Sequence, residues 1–281
     1  MKIGVSAFAW TTKFTQAHIG IIPKLAEHGF GGFEIPMFNS DDVPALEIRR
    51  ACEANNLECT VCAILPAGIN PISPDPTIRE KSLLHLHQCI ETAAEAGAHL
   101  ICGPLYAPIG YLPGRRRTND EWQWGIEYFQ SMGDALAANE MTLAIEPVNR
   151  SETFFLNTAA EAKAFCEAVD HPLVGLTIDS FHANIEEKSI PAAVSSLGPS
   201  LRHLHASEND RGLLGSGHVD FAGIVDALRG IQFAGFLMIE GFGYSPDEES
   251  SLGKLWGDLT VSPEDIAFNG AGYLRSLLQK V

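Results

Sequence analysis

The sequence predicts an α/β chain folded as a single (β/α)8 barrel over residues 1–281, and three observations carry that expectation. Eight short apolar segments alternate strictly with eight longer segments of helical period. Such alternation calls for a parallel sheet, because parallel neighbours need a crossover connection. Eight units in 281 residues suggest that the sheet closes into a TIM-type barrel rather than forming two smaller domains or a doubly wound open sheet. Against the open sheet, no GxGxxG follows the first strand, and no Pro/Gly/Ser-rich tract divides the chain.

The strands are placed in order at 2–8 (KIGVSAF), 31–35 (GGFEI), 58–64 (ECTVCAI), 99–103 (HLICG), 142–146 (TLAIE), 174–179 (VGLTID), 201–206 (LRHLHA) and 235–240 (GFLMIE). Most are too short for helices and are bounded by Gly, Pro or polar residues. The helical stretches between and after them are 17–28, 43–56, 77–97, 119–139, 158–169, 189–197, 220–230 and 263–279. Asn157 and Thr158 open one of these, and Ser262, Pro263 and Glu264 open the last, as capping residues and an early proline do. The stretches ending at 27–31 and 93–97 stop at glycine before a strand, the usual left-handed exit from a helix.

Composition excludes several classes of function. The apolar fraction of 46% is enough for a large core. No apolar run approaches the roughly 20 residues that cross a bilayer, so no membrane role is expected. The start, MKIGVSAFAW, lacks the long apolar stretch of a signal peptide, so the expected location is the cytoplasm. A net charge of −16 argues against nucleic acid, whose binders carry basic patches; the run Arg115, Arg116, Arg117 reads as a solvated loop. Six cysteines include only a lone CxxC at Cys59 and Cys62, so all six are expected as reduced, mostly buried thiols that pack as small hydrophobes.

In a barrel of this kind the active site lies at the C-terminal ends of the strands. The last residues of the second four strands are Glu146, Asp179, His205 and Glu240, one metal-ligand type per strand. Carboxylates at the mouth of an apolar strand are costly unless paired, hydrogen-bonded or bound to a cation. Three carboxylates and an imidazole suit one divalent cation such as Mn²⁺, Mg²⁺ or Co²⁺, with Zn²⁺ a further alternative although structural zinc usually takes more sulfur and nitrogen. The following loops add Asn149, Arg150 and Glu152, then His182, then Glu208 and Arg211, then Phe242. Such a density of ionisable groups on loops marks a site. Glu34, ending the second strand, either completes a polar network or caps a turn. Phe8, Trp10 and Phe242 are candidate apolar walls, with core packing as the alternative. The stretch 212–217 is rich enough in glycine to cradle a phosphate, but no cation beyond Arg211 adjoins it, which favours a non-phosphorylated ligand.

The segments EPVNR (146–150), DSFHANIEE (179–187), HLHASENDRG (203–212) and IEGF (239–242) resemble the ketose 3-epimerase branch of the xylose isomerase-like barrels, which includes D-tagatose, D-psicose and L-ribulose 3-epimerases. The likeness covers the C-terminal half in order and spacing and is looser before it. It implies one divalent metal, commonly Mn²⁺, on Glu146, Asp179, His205 and Glu240. It further implies that Glu146 and Glu240 serve as acid and base, that Glu152, His182 and Arg211 contact a sugar near its carbonyl, and that the protein is a homodimer or homotetramer. The loop 103–117, expected to form part of the substrate wall, and the segment 243–256 depart from the pattern and leave the sugar open.

The chemistry that fits is epimerisation of a free ketose at C3. One glutamate would remove the C3 proton and the other would return one to the opposite face, with His182 and Arg211 stabilising the oxyanion of a cis-enediolate. Three rivals stand beside it. An aldose–ketose isomerase of the hydroxypyruvate isomerase kind would use the same groups between C1 and C2. An abasic-site endonuclease would need more histidine ligands and a basic groove, and a non-catalytic sugar-binding barrel would not need both glutamates.

Overall fold

A computed structural model describes residues 1–242 and 261–280. Its eight strands are almost wholly buried along their length, which is why the sequence shows near-continuous apolar runs rather than alternation. They are β1 (Lys2–Ser6), β2 (Gly32–Met37), β3 (Glu58–Ala63), β4 (Ala98–Gly103), β5 (Thr142–Ile145), β6 (Val174–Asp179), β7 (Leu201–Ala206) and β8 (Phe236–Ile239). All neighbours pair in parallel, and β1 pairs with both β2 and β8, closing the barrel in the order β1 to β8. The (β/α)8 expectation holds, and each strand lies where it was placed to within two residues.

The helices are α1 (Ile21–Glu27), α2 (Ala45–Ala54), α3 (Pro76–Glu95), α4 (Asn119–Gln130), α5 (Gly133–Ala138), α6 (Ala159–Val169), α7 (Ser180–Glu186), α8 (Ile190–Leu197), α9 (Phe221–Gly230) and α10 (Gly270–Gln279). Three departures from expectation have physical causes. The first strand stops at Ser6, because the Ser6 hydroxyl accepts from the Phe8 N–H and turns residues 7–9 into a 3-10 helix. The single helix expected over 119–139 breaks between Gln130 and Gly133, where the Ser131 hydroxyl donates back to the Tyr128 carbonyl. DSFHANIEE, expected as loop, forms α7; Asp179 ends β6 and its carboxylate caps the helix by accepting from the Phe181 N–H. A strand that hands over to a helix through a shared capping residue gives no turn signal in between.

At the C-terminal rim, β4 comes unusually close to β3. Gly103 has φ of 132°, and a Cβ there would lie 2.1 Å from the Ala63 carbonyl oxygen. Only glycine fits that crossing, and it frees the Gly103 carbonyl to accept from the Glu146 N–H at 3.1 Å. Among the described residues, no helix is long and apolar enough to cross a membrane. Arg115 and Arg117 pair with Glu121 and Glu161, so two of the three consecutive arginines are tied into the α4 and α6 helix starts.

Candidate active site

The barrel's C-terminal mouth opens into a pocket of about 470 Å³ lined by Phe8, Cys62, Ile64, Pro104, Ile109, Glu146, Val148, Glu152, His182, Arg211, Glu240 and Phe242. All nine expected site residues line it or lie beneath it on the strand ends: Glu146, Glu240, Glu152, His182, Arg211, Phe8 and Phe242 are in the wall. Asp179 and His205 are fully buried below, completing the set. Trp10 is not in the wall; its indole N–H donates to Glu264 at 3.2 Å.

Strand geometry holds the ligand types together. Glu146 and Glu240 each sit one residue past their strands, with backbone N–H groups still bonded to the neighbouring strand at Gly103 and Ala206. Glu146, Asp179 and His205 each bring one ligand atom within 4.8 Å of one another. His205 Nδ1 is 3.6 Å from Glu146 and 3.8 Å from Glu240, and it is buried with no hydrogen-bond partner. Glu240 is turned instead to Arg211, whose Nη1 donates to it at 2.6 Å, to Asp179 at 2.5 Å and to the Ser207 hydroxyl at 3.0 Å.

Arg211 therefore makes none of the local loop pairings that its neighbours Glu208 and Asp210 invite. Its guanidinium stands 4.0 Å from the Phe181 ring centroid and 5.0 Å from that of Phe242. Its backbone is left-handed, with φ of 62°, a conformation uncommon for residues other than glycine. Glu208 serves the loop, accepting from the N–H groups of Gly215 and Val219, while Asp210 accepts from Gly212. The glycine-rich turn thus commits the N–H groups of Gly212 and Gly215 to its own carboxylates rather than to a phosphate.

His182 lies on α7, and its Nδ1 faces the Asn149 N–H at 3.3 Å. A backbone N–H can only donate, so Nδ1 accepts and the ring proton sits on Nε2. That Nε2 is 3.3 Å from Arg211 Nη2, which sets two donors side by side at the wall. The Asn149 side chain also donates to Glu152 at 2.9 Å. Arg150, by contrast, points outward and pairs with Glu186.

The role of Glu34 is settled in favour of the network. It is fully buried, accepts from the Thr60 hydroxyl at 3.0 Å, and lies 2.9 Å from His205 Nε2 and 3.0 Å from His203 Nε2. Burial works to raise its carboxyl, but His205 and His203 outweigh that and hold it well below the usual carboxylate range. The opposite holds for the ligand set. Burial lifts Asp179 to about 6 against the pull of Arg211, with Glu240 adding to the rise, and burial also raises Glu146. Burial disfavours the His205 imidazolium, yet Glu34 and Glu240 carry it well above its ordinary range. Four buried carboxylates against one guanidinium and one imidazolium leave excess negative charge here. Together with the orphaned Nδ1, that excess fits a divalent cation.

Residues 22–277 match the family described as xylose isomerase-like TIM barrel. The chain belongs to that family. Within it, the chain falls in the ketose 3-epimerase branch. A probable ketose 3-epimerase of Synechocystis sp. is 30% identical over 282 residues, spanning 99% of this chain and 97% of the relative. The D-psicose 3-epimerase of Ruminiclostridium cellulolyticum is 31% identical over 270 residues, 94% and 92% of the two chains. The solved D-allulose 3-epimerase of Methylomonas sp. superposes with a TM-score of 0.92 at 27% identity, covering 99% of this chain and 98% of that one.

The sequence did not single out Cys62, Ile64, Pro104, Ile109 or Val148 as wall residues. Pro104 and Ile109 do lie in the loop 103–117 that was expected there. The segment 243–256 lies outside the described residues.

Proposed function

We infer that this chain epimerises a free ketose at C3, passing a proton between two glutamates on either side of the substrate. The observation that carries this reading is the convergence of Glu146 and Glu240 on one pocket, each within 4 Å of the same imidazole nitrogen. Inversion at a carbon beside a carbonyl needs one group to remove the proton and a second, protonated one to return it from the opposite face.

Glu146, Asp179, His205 and Glu240 would hold a divalent cation, with Mn²⁺ the best candidate and Co²⁺ or Mg²⁺ the alternatives; when bound, it supplies Lewis-acid stabilisation to charge on the sugar oxygens. The remaining work falls to the chain. Burial keeps a proton on Glu146 more readily than water would, which poises it to exchange one with carbon. Arg211 fixes Glu240 through the 2.6 Å bond. The paired donors of His182 and Arg211 converge on the wall where the oxygen of a cis-enediolate would develop charge. Glu152, held by Asn149, orients a hydroxyl. Phe8 and Phe242, with ring centroids 5.2 Å apart, cover the carbon skeleton.

The N–H groups of Gly212, Gly215 and Val219, taken up by Asp210 and Glu208, support a substrate without phosphate. The sequence relatives and the solved neighbours named above support the reaction class, and the same resemblance supports a homo-oligomer.

The test is proton exchange. The metal-stripped and Mn²⁺-reloaded protein is incubated with D-fructose, D-tagatose and L-ribulose in D₂O and followed by NMR. Metal-dependent deuterium at C3 with appearance of the C3 epimer is expected. Deuterium at C1 or C2 with an aldose product would move the assignment to an aldose–ketose isomerase, and no exchange with any of the three would overturn it for these sugars.

A further inference from the structure

Below the pocket floor lies a second set of ligand atoms that the epimerase reading leaves unused. Cys62 on β3 and Cys102 on β4 are register partners on neighbouring strands, and their thiols face each other inside the barrel. Cys102 Sγ is 3.5 Å from Glu34 Oε2 and 3.8 Å from His205 Nε2. Glu34, Cys62, Cys102 and His205, all buried, each bring one ligand atom within 4.8 Å of one another. The CxxC motif does not make this pair. Residues three apart in a strand point to opposite faces, so Cys59 turns outward to Cys52 of α2 and Cys62 turns inward.

A tetrahedral ion with bonds of roughly 2.3 Å to sulfur and 2.0 Å to nitrogen or oxygen sets its ligand atoms roughly 3.3–3.8 Å apart. The two Cys102 separations already have that spacing. The 2.9 Å contact of His205 Nε2 is with the other Glu34 oxygen, Oε1, and has to open by about 0.4 Å where that oxygen is the ligand. Two thiolates and an imidazole select a soft or borderline ion, whereas the oxygen-rich set above selects a harder one.

We propose that Glu34, Cys62, Cys102 and His205 form a second, thiophilic cation site for an ion such as Zn²⁺ or Cd²⁺, reached through the substrate pocket and exclusive of the ion above. Cys62 lines that pocket, which gives the route. As the ion enters, the two thiols and His205 Nε2 release their protons to solvent, and four bonds to the metal form. Exclusion follows from the ring. A neutral imidazole has one lone pair, and Nε2 faces the thiols while Nδ1 faces Glu146 and Glu240. An ion on Nε2 leaves the proton on Nδ1, so His205 has nothing to give the upper set. The exclusion rests on the metal set proposed above; the lower site does not.

Cadmium alone is the probe. The metal-stripped chain is titrated with Cd²⁺ and followed by the thiolate-to-cadmium ultraviolet band. A saturable band is expected, with apparent affinity falling by more than about tenfold in Cys102→Ser and in Cys62→Ala. It should persist in Cys52→Ala, which removes the other thiol pair, and in Glu240→Gln, which alters only the upper set. A band unchanged in both pocket-cysteine variants, or lost in Cys52→Ala, overturns the site. Should those variants fold poorly, X-ray absorption on the cadmium-loaded wild-type chain decides: two sulfur neighbours with nitrogen and oxygen are expected, and one or none refutes the proposal. Added Mn²⁺ should raise the Cd²⁺ concentration at half-saturation. Absence of that shift, with Mn²⁺ shown by paramagnetic resonance to bind the cadmium-free chain, overturns the sharing of His205. If Mn²⁺ does not bind at all, the upper metal set fails and the band still judges the lower site.

Discussion

The two halves of the barrel rim are built from different chemistry. Strands β1 to β4 and their loops bring Phe8, Cys62, Ile64, Pro104 and Ile109 to the pocket, while β5 to β8 bring Glu146, Glu152, His182, Arg211 and Glu240. One semicircle handles charge and the other handles carbon. Val148, after β5, and Phe242, after β8, are the exceptions, and Phe242 joins the two halves by packing on Phe8. The arrangement teaches that the site need not surround its ligand with polar groups. A sugar's reacting end and its inert end can be sorted by which half of the sheet each faces.

The division can be broken most decisively from the charged side. Glu240→Gln should lower kcat by roughly 100- to 10,000-fold while the sugar still binds, read from steady-state kinetics beside calorimetric binding. A defect confined to KM would mean that this half binds rather than reacts. Phe8→Ala, on the carbon side, should raise KM by roughly tenfold with kcat little changed; an equal fall in kcat would erase the distinction.

The smallest effect sharpens the electrostatics. The Asp179 carboxyl is raised to about 6 in the folded, metal-free chain, so between about pH 5 and pH 7 the folded state holds a proton that the unfolded chain has released. Stability from this group is therefore present at the acid end and declines as pH rises, by about 1 kcal/mol over that window. Chemical denaturation of the stripped protein should show a fall that Asp179→Asn removes. A wild-type profile matching the variant's would place the carboxyl's titration outside the window.

Much of this was readable before any coordinates. Most strands are largely apolar on both faces, so even the four-residue β5 stood out, and the rule that barrel sites lie at strand exits then placed Glu146, Asp179, His205 and Glu240 together. What stayed hidden shares one property, dependence on partners distant in sequence. For Glu34 the sequence left a polar network and a turn cap undecided, because its partners are the distant His203 and His205. Arg211 sits among acidic neighbours in the chain yet bonds to Asp179 and Glu240, and Cys62 meets Cys102 only through strand register. Helix α7 was missed for a local reason, because Asp179 ends a strand and caps a helix at once.

The contact between Glu34 on β2 and His205 on β7 has a consequence for how the chain assembles. It ties the first half of the polypeptide to the second across 171 residues, and its carboxylate is fully buried. A partly built barrel holding β2 but not β7 would enclose that charge without its histidine partners, a state that costs several kcal/mol. The pairing therefore penalises stopping midway. It makes closure of the last strands a condition for the stability of the early ones, and binds two chemically unlike halves into one cooperative folding unit.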